Sequence, residues 1–149
     1  VDIALASGAD GVQLGEESLP LEASRRLASN QLLMGRSVHS LDGAIDAETE
    51  GADLLVLGTM FPSNSHPGTS GSAVRLMEQI TSQVSIPVLA IGGVNANNIG
   101  TVMKSGASGA AVITAITQSN DPGQATRELK EHMKQAWVSE LEKKVRRPK

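Results

Sequence analysis

Uninterrupted apolar runs alternate with amphipathic segments along most of this chain. The clearest run covers residues 86–91 and ends abruptly in Gly92-Gly93. An apolar run without alternation is typical of a strand that is buried on both faces of a parallel sheet. Paired glycines allow a sharp turn or a close approach of the backbone, and N–H groups at a strand end can bind an anion. The pattern therefore predicts a parallel α/β fold with a phosphate site at Gly92-Gly93.

One short motif occurs three times, at residues 8–15, 51–58 and 106–113. Each copy begins with Gly-Ala and continues into an apolar stretch, which predicts a helix end, a tight turn and a strand. One further strand is predicted between successive copies, at residues 32–37 and 86–91. The spacing gives about 21 to 28 residues for each β-α unit, which is the size of a unit in a (β/α)8 barrel.

Segments with helical periodicity fill the intervals between the strands. Helices are predicted over residues 19–29, 40–50, 73–84, 95–105 and 122 to about 143, with a helix fragment at residues 1–6. Ser40 and Asn95 precede two of them and are predicted to be their N-caps. Because every connection has the β-α-β form, the sheet is predicted to be parallel.

The length of the chain limits the fold class. A complete eight-unit barrel typically needs about 250 residues, whereas this chain has 149. We expect an α/β fold of the TIM-barrel type, incomplete and with five β-α units, over residues 1–138, followed by a basic tail at residues 139–149. An open, doubly wound sheet with a non-sequential strand order is the alternative. The two edge strands, at residues 11–15 and 109–114, would lack a neighbour, which predicts that the chain is weakly stable or associates into a homo-oligomer.

Composition excludes several classes of function. The net charge of −3 favours neither a nucleic-acid nor a membrane partner. There is no cysteine, which rules out disulfides and thiol chemistry, and Phe61 and Trp137 are the only aromatic residues, which rules out a base-stacking platform. No uncharged apolar run reaches the roughly 18 residues of a membrane helix. A soluble cytoplasmic protein is expected.

Several motifs, in order and at matching spacing, resemble one known family. The matching stretches are residues 1–5, 8–15, 35–40, 51–58, 61–62, 66–68, 90–94, 106–107 and a predicted strand at 112–116. In these stretches the chain resembles the thiamine phosphate synthase family, which includes a thiazole tautomerase (TenI-type) branch. The resemblance covers residues 1 to about 137.

The resemblance implies a (β/α)8 barrel of which this chain carries strands four to eight. It also implies a transferase of thiamine biosynthesis that joins hydroxymethylpyrimidine diphosphate to thiazole phosphate and releases diphosphate, with Mg²⁺ as the cofactor. The family's first three strands, which carry a Gln-x-Arg diphosphate site and an Asn-Asp pair, would precede Val1.

The same resemblance assigns residues to the two small phosphorylated substrates. The implied thiazole-phosphate contacts are Gly92, Gly93, Ile113 and Thr114 at two strand ends, with Ser63, Asn64 and Ser65 in the long loop of residues 61–72. The implied pyrimidine-side contacts are Ser37 and His39, and the implied catalytic residues are Ser37 and His66. Turn formation, an ordinary polar loop and strand-end capping are the purely structural interpretations of these residues.

Two positions depart from the family pattern. Ser18 stands where the family has an aspartate that binds Mg²⁺, and a neutral serine is a poor ligand for a hard cation. Glu16 or Glu17 would be the substitute. His66 replaces a lysine, and an imidazole carries only part of a positive charge near neutral pH, so it stabilises a leaving diphosphate less well.

Two other functions stay open at this point. The first is a thiazole tautomerase-like activity, which needs neither diphosphate nor Mg²⁺ and which residues 35–40 resemble. That branch has its catalytic histidine at the position of Thr59, and a threonine hydroxyl cannot act as an acid or base near pH 7. The second is a catalytically silent phosphate-binding protein.

Overall fold

The computed structural model describes residues 1–62 and 70–146, which form a five-stranded parallel sheet with helices between the strands. The strands are β1 (Gly11–Leu14), β2 (Leu33–Val38), β3 (Leu54–Leu57), β4 (Val88–Ile91) and β5 (Gly109–Ala111). They pair in chain order, β1-β2-β3-β4-β5. This sequential order confirms the partial barrel and shows that the alternative of an open, doubly wound sheet was wrong.

The described residues also form seven helices. They are α1 (Asp2–Ser7), α2 (Leu21–Ala28), α3 (Leu41–Thr49), α4 (Ser70–Gln83), α5 (Ile99–Lys104), α6 (Thr114–Thr117) and α7 (Pro122–Arg146). Each of the helices predicted from periodicity is present, α6 is additional, and α7 continues through residue 138. The division between domain and tail at that residue stays a prediction. In the described part of the chain, no helix is both long and apolar enough to cross a membrane.

The repeated motif behaves as its glycines predict. Gly8, Gly51 and Gly106 each have a positive φ, at 68°, 94° and 93°, and each follows the end of a helix. This backbone conformation costs glycine little and strains other residues. The motif therefore ends one helix and starts the next strand at three places in the sheet.

Two sequence predictions about local structure were wrong. Residues 112–116 do not continue a strand, because the N–H groups of Ile116 and Thr117 donate to the Ile113 carbonyl at 3.0 and 2.9 Å and form α6. Asn95 is not an N-cap, because α5 begins four residues later with Asn98 in the capping position. The Ser40 prediction is confirmed by its hydroxyl, which accepts from the Gly43 N–H at 3.1 Å.

The two faces of the sheet differ in burial. Side chains toward the helices are buried, and these include Leu14, Met34, Leu55, Leu57 and Val88. On the opposite face, Leu54, Val56, Leu89 and Ile91 are only partly buried, and Gln13 is exposed. Alternation along each strand produces this difference. In the described part of the chain, β1 and β5 each pair on one side only, and the expected association of this chain stays a prediction.

Charged side chains hold the loops at the amino ends of the central strands. Arg25 of α2 pairs with Asp53 and donates to the Gly51 carbonyl (Nε to O, 2.9 Å) and the Leu32 carbonyl (Nη1 to O, 3.0 Å). Asp53 Oδ2 also accepts from the Met34 N–H at 2.7 Å. We call this set the arginine–aspartate clamp, and it ties α2 to the starts of β2 and β3.

Glu48 forms a second connection at the same end of the sheet. Its Oε1 accepts from the N–H and hydroxyl of Ser85 at 2.8 and 2.6 Å, and from the Ile86 N–H at 3.2 Å. These bonds, those of Ser85 foremost, lower the pKa of the Glu48 carboxyl below its ordinary value, because they favour the charged form. The carboxylate thereby joins α3 to the segment that enters β4.

Candidate functional site

A cavity of about 570 Å³ lies at the carboxyl ends of β4 and β5. Its lining consists of Thr59, Pro62, residues 91–95, residues 111–115 and Gln118. The size is within the range of small-molecule sites. In parallel barrels, the loops at the carboxyl ends of the strands form the ligand sites, so this is the part of the fold where a substrate is expected.

Gly92 and Gly93 form the β4 side of the cavity, and the structure requires glycine at both positions. Their φ angles are 92° and 65°. A Cβ at Gly92 would lie 2.7 Å from Thr59 Cγ2, and one at Gly93 would lie 2.5 Å from the Phe61 carbonyl oxygen. The close backbone approach predicted from the sequence is therefore between these two glycines and the segment after β3. This contact within the protein accounts for both glycines without a ligand.

The carbonyl groups on this side of the cavity are engaged by the protein. The Ile91 carbonyl accepts from the Met60 N–H at 3.0 Å, and the Gly92 carbonyl accepts from the Phe61 N–H at 3.1 Å. The Gly93 carbonyl accepts from Asn98 Nδ2 at 2.9 Å. In a trans peptide the N–H points away from the carbonyl of the same peptide. The N–H groups of Gly92, Gly93 and Val94 belong to the same three peptides. Each therefore points away from the group that donates to its peptide's carbonyl.

Ile113 and Thr114 form the β5 side of the cavity. The chain turns at Ile113, with φ −121° and ψ −76°, and enters α6 at Thr114. The N–H groups of both residues make no hydrogen bond within the described parts of the chain. Ile113 is 66% exposed, which is high for a large apolar side chain. The backbone at this turn is therefore accessible from the cavity, and the Thr114 hydroxyl adds a polar group.

Among the described residues, those that line the cavity carry no formal charge. Their polar groups are backbone N–H groups, the hydroxyls of Thr59 and Thr114, and the amides of Asn95 and Gln118. Converging N–H groups can bind a phosphate without a cationic side chain. The arrangement suits a compact anion on an otherwise apolar molecule.

The structure brings Gly92, Gly93, Ile113 and Thr114 together, as predicted, and adds residues that the sequence reasoning had not assigned. Gln118 lines the cavity because α6 turns the chain back, and a strand had been predicted for the residues before it. Asn98 lies behind the β4 side and contacts the Gly93 carbonyl. Its position five residues after Gly93, in an Asn-rich turn, was the available signal.

Ser37 and His39 lie at a second place, at the ends of β1 and β2, and do not line this cavity. The Ser37 hydroxyl accepts from Gln13 Nε2 at 3.1 Å. His39 Nδ1 lies 2.7 Å from Glu16 Oε2, and both side chains are about half exposed, at 55% and 54%. Arg36 Nη2 donates to the Glu16 carbonyl at 2.7 Å, which holds the loop after β1. The pyrimidine-side role of Ser37 and His39 stays a prediction.

The residues considered for a metal do not form a metal site by themselves. Within the described ranges, no group of three or more His, Asp or Glu side chains is arranged to hold an ion. Glu16 is paired with His39, and Ser18 donates its backbone N–H to the Gly15 carbonyl at 3.0 Å. Glu17 lies in the same loop. These donors do not meet the coordination needs of Mg²⁺.

The predicted residues of the long loop lie outside the described part of the chain. They are Ser63, Asn64, Ser65 and His66. Their roles in phosphate binding and in catalysis therefore stay predictions that rest on the resemblance alone.

Comparison with known sequences identifies similar proteins. The pattern of the family described as "Thiamine monophosphate synthase" (TMP-TENI) matches residues 1–116. Proteins named thiamine-phosphate synthase are 43% identical in Pyrococcus abyssi and 44% identical in Pyrococcus furiosus, each over 130 residues that make up 87% of this chain. The same alignments cover 62% of each relative, so the chain spans about three fifths of their length.

Comparison with solved structures gives the same result. A thiamine phosphate pyrophosphorylase from Pyrococcus furiosus superposes with a TM-score of 0.81 at 41% identity, covering 91% of this chain and 64% of the other. A 3-hexulose-6-phosphate synthase superposes with a TM-score of 0.71 at 22% identity, covering 89% and 66%. The second likeness concerns the fold alone.

Proposed function

Since this chain belongs to the thiamine monophosphate synthase family, we propose that it supplies the thiazole-phosphate site of a thiamine phosphate synthase. The proposed reaction joins hydroxymethylpyrimidine diphosphate to thiazole phosphate and releases diphosphate. One observation supports it above others: the ends of β4 and β5 line one cavity whose described walls combine uncharged polar groups with apolar side chains. A phosphorylated heterocycle presents that combination of a compact anion and an apolar ring.

The proposed role of the cavity is to hold and orient one substrate. N–H groups of the β4 and β5 loops would bind the thiazole phosphate, with the Thr114 hydroxyl as a further donor. The thiazole ring would lie against the apolar wall, which includes Ile91 and Val112. Fixing the ring in this way lowers the entropic cost of bringing its nitrogen to the second substrate.

The proposed chemistry is a substitution at the methylene carbon of the pyrimidine. The bond from that carbon to the diphosphate oxygen breaks, and the leaving diphosphate takes both electrons. The thiazole nitrogen then donates its lone pair to form the new C–N bond. The resemblance assigns Ser37 to the diphosphate, and its hydroxyl, held by Gln13, lies at the carboxyl end of β2 next to β3.

The resemblance to the family is the only basis for including magnesium in this proposal. The cation would stabilise the charge of the leaving diphosphate. Ser18 and Glu17 occupy the loop where the family binds it, but the described residues alone do not fit the ion. No step is therefore assigned to this chain through the metal.

Synthesis of thiamine phosphate tests the proposal directly. The protein is incubated with hydroxymethylpyrimidine diphosphate and thiazole phosphate, with and without Mg²⁺, and thiamine phosphate is quantified by oxidation to its fluorescent thiochrome. Binding of thiazole phosphate is measured in parallel by calorimetry. Product formation supports the synthase. Binding without product would favour a silent phosphate-binding protein, and the absence of both would overturn the proposal.

The tautomerase alternative has less support. Thr59 occupies the place of that branch's catalytic histidine and lines the cavity, where its hydroxyl can donate a hydrogen bond but cannot take up a proton near pH 7.

Small phosphorylated molecules are the proposed partners of the synthase site. The cytoplasmic location and the homo-oligomer stay predictions.

A further inference from the structure

Asn98 bridges two backbone groups of the loop that forms the β4 side of the cavity. Its Nδ2 donates to the Gly93 carbonyl at 2.9 Å, and its Oδ1 accepts from the Asn95 N–H at 2.8 Å. Asn95 Nδ2 lies 3.4 Å from the same Gly93 carbonyl, a longer contact. The side chain of Asn98 thus spans the turn and contacts its backbone at both ends, while it lies outside the cavity lining.

The bond to the Gly93 carbonyl determines which end of one peptide faces the cavity. The Gly93–Val94 peptide could rotate as a unit, since glycine tolerates a wide range of backbone angles. If it rotated, the carbonyl oxygen would turn toward the cavity and repel an anion. Asn98 binds that oxygen, which leaves the Val94 N–H, on the opposite side of the same peptide, free to face the cavity that Val94 lines.

We propose that Asn98 is a positioning residue, which keeps the Gly93–Val94 peptide in the orientation that binds phosphate. This inference rests on the phosphate-binding part of the proposed function and extends it to a residue that does not touch the ligand. The inference distinguishes the two sides of the cavity, because the hydrogen bonds of the Asn98 side chain among the described residues all go to the β4 side.

The charge-matched pair Asn98→Asp and Asn97→Asp tests the proposal. Asn98→Asp keeps an oxygen for the Asn95 N–H but places a carboxylate against the Gly93 carbonyl. Asn97→Asp adds the same charge one residue away, on an exposed side chain. Inorganic phosphate and thiazole phosphate serve as probes, and the amide signals of the intact chain are followed by 15N–1H NMR during the titration.

The expected result distinguishes positioning from general stability. Asn98→Asp should bind phosphate about tenfold more weakly than Asn97→Asp, a loss of the size expected for a hydrogen bond replaced by repulsion. At saturating phosphate, the Gly93 and Val94 signals should no longer respond, whereas those of Ile113 and Thr114 should. A general loss of structure would reduce both responses together.

Other outcomes would overturn the inference. These are equal affinity in the two variants, a parallel loss on both sides of the cavity, and a wild-type chain whose Gly93 and Val94 signals ignore phosphate. If Asn98→Asp does not fold, Asn98→Ser and Asn97→Ser give the same comparison without added charge, and serine is favoured at the N-cap position that Asn98 occupies. A chain that binds phosphate but makes no thiamine phosphate would contradict the synthase alone.

Discussion

Two regions of the sheet use different kinds of polar group. At the carboxyl ends of β4 and β5, the cavity presents backbone N–H groups and uncharged side chains. At the amino ends of β2, β3 and β4, the arginine–aspartate clamp and Glu48 hold the loops with charged side chains. We expect the proposed ligand binding and the stability of the fold to depend largely on separate residues, as is general in barrels of this type. Substitutions at the two ends should therefore have separable effects.

The largest effect on binding is expected at the carboxyl end, from Gly93→Ala. The new Cβ would lie 2.5 Å from the Phe61 carbonyl oxygen, at a φ of 65° that alanine rarely adopts. We expect phosphate affinity to fall more than tenfold and the free energy of unfolding to fall by about 1–3 kcal/mol. Calorimetry with thiazole phosphate and urea denaturation measure the two quantities.

Gly100→Ala is the control for that substitution. Gly100 lies in the first turn of α5, and a Cβ there would meet no atom within 4 Å. Alanine at an open helical position should stabilise the protein by up to about 1 kcal/mol and leave phosphate affinity unchanged. Equal binding by both glycine variants would mean that the Gly93 peptide does not contribute to the phosphate site.

A loss of stability without a loss of binding is expected at the amino end, from Asp53→Ala. The substitution leaves the Met34 N–H without its acceptor and Arg25 without its ion-pair partner. We expect the free energy of unfolding to fall by about 2 kcal/mol, which lowers the melting temperature by about 4–8 °C. Phosphate affinity should stay within about twofold of wild type.

Asp10→Ala is the matched control, since Asp10 occupies the same place in the first copy of the repeated motif. Its side chain makes no hydrogen bond within the described residues, although its carbonyl accepts from the Leu33 N–H at 2.9 Å. Asp10→Ala should change stability by less than about 0.5 kcal/mol. A tenfold change in phosphate affinity in folded Asp53→Ala would contradict the separation of the two ends.

Glu48→Gln should destabilise the protein in a pH-dependent way. The pKa of Glu48 is lowered in the folded state, so its contribution is present above the ordinary value of 4.5 and is lost as pH falls through the lower folded pKa. The difference in urea midpoint between wild type and variant should be largest near pH 7 and shrink below pH 4.5. Glu50→Gln, just after α3, is the control. A difference in urea midpoint between wild type and Glu48→Gln that does not change with pH would refute the lowered pKa of Glu48.

The smallest effect is expected from Glu16→Gln, which weakens the ion pair with His39. Both side chains are about half exposed, and exposed pairs contribute between zero and about 1 kcal/mol. Glu78→Gln on α4 provides the comparison. A loss above about 2 kcal/mol in urea denaturation would mean that the carboxyl end, too, relies on charged side chains for stability.

Local sequence pattern predicted most of the fold. The parallel sheet, the five strands and the glycines that end α1 and α3 follow from periodicity and from the repeated motif, because these signals are local. The strand at residues 112–116 was predicted wrongly because Val112, Ile113 and Thr114 are β-branched, and the hydrogen bonds of α6 outweighed that preference.

The parts of the site that depend on distant contacts could not be read from the sequence. Gly92-Gly93 was predicted to be a phosphate site, and this stays a prediction, whereas the Thr59 and Phe61 contacts that require glycine belong to another segment of the chain. The bond from Glu48 to Ser85 joins residues 37 positions apart, and no local signal marks it. Asn98 was missed because its role depends on where the turn of residues 95–98 directs its amide.

The sequential pairing of β1 to β5 has a consequence for how the chain folds. Each strand binds the next one along the chain, so every pairing closes a connection that contains one helix and the loops beside it. Because loop-closure entropy rises slowly with loop length, its cost is similar for the four pairings. The sheet can grow by one unit at a time from any starting pair, as in repeat proteins, and a slow step in one unit would delay only its neighbours.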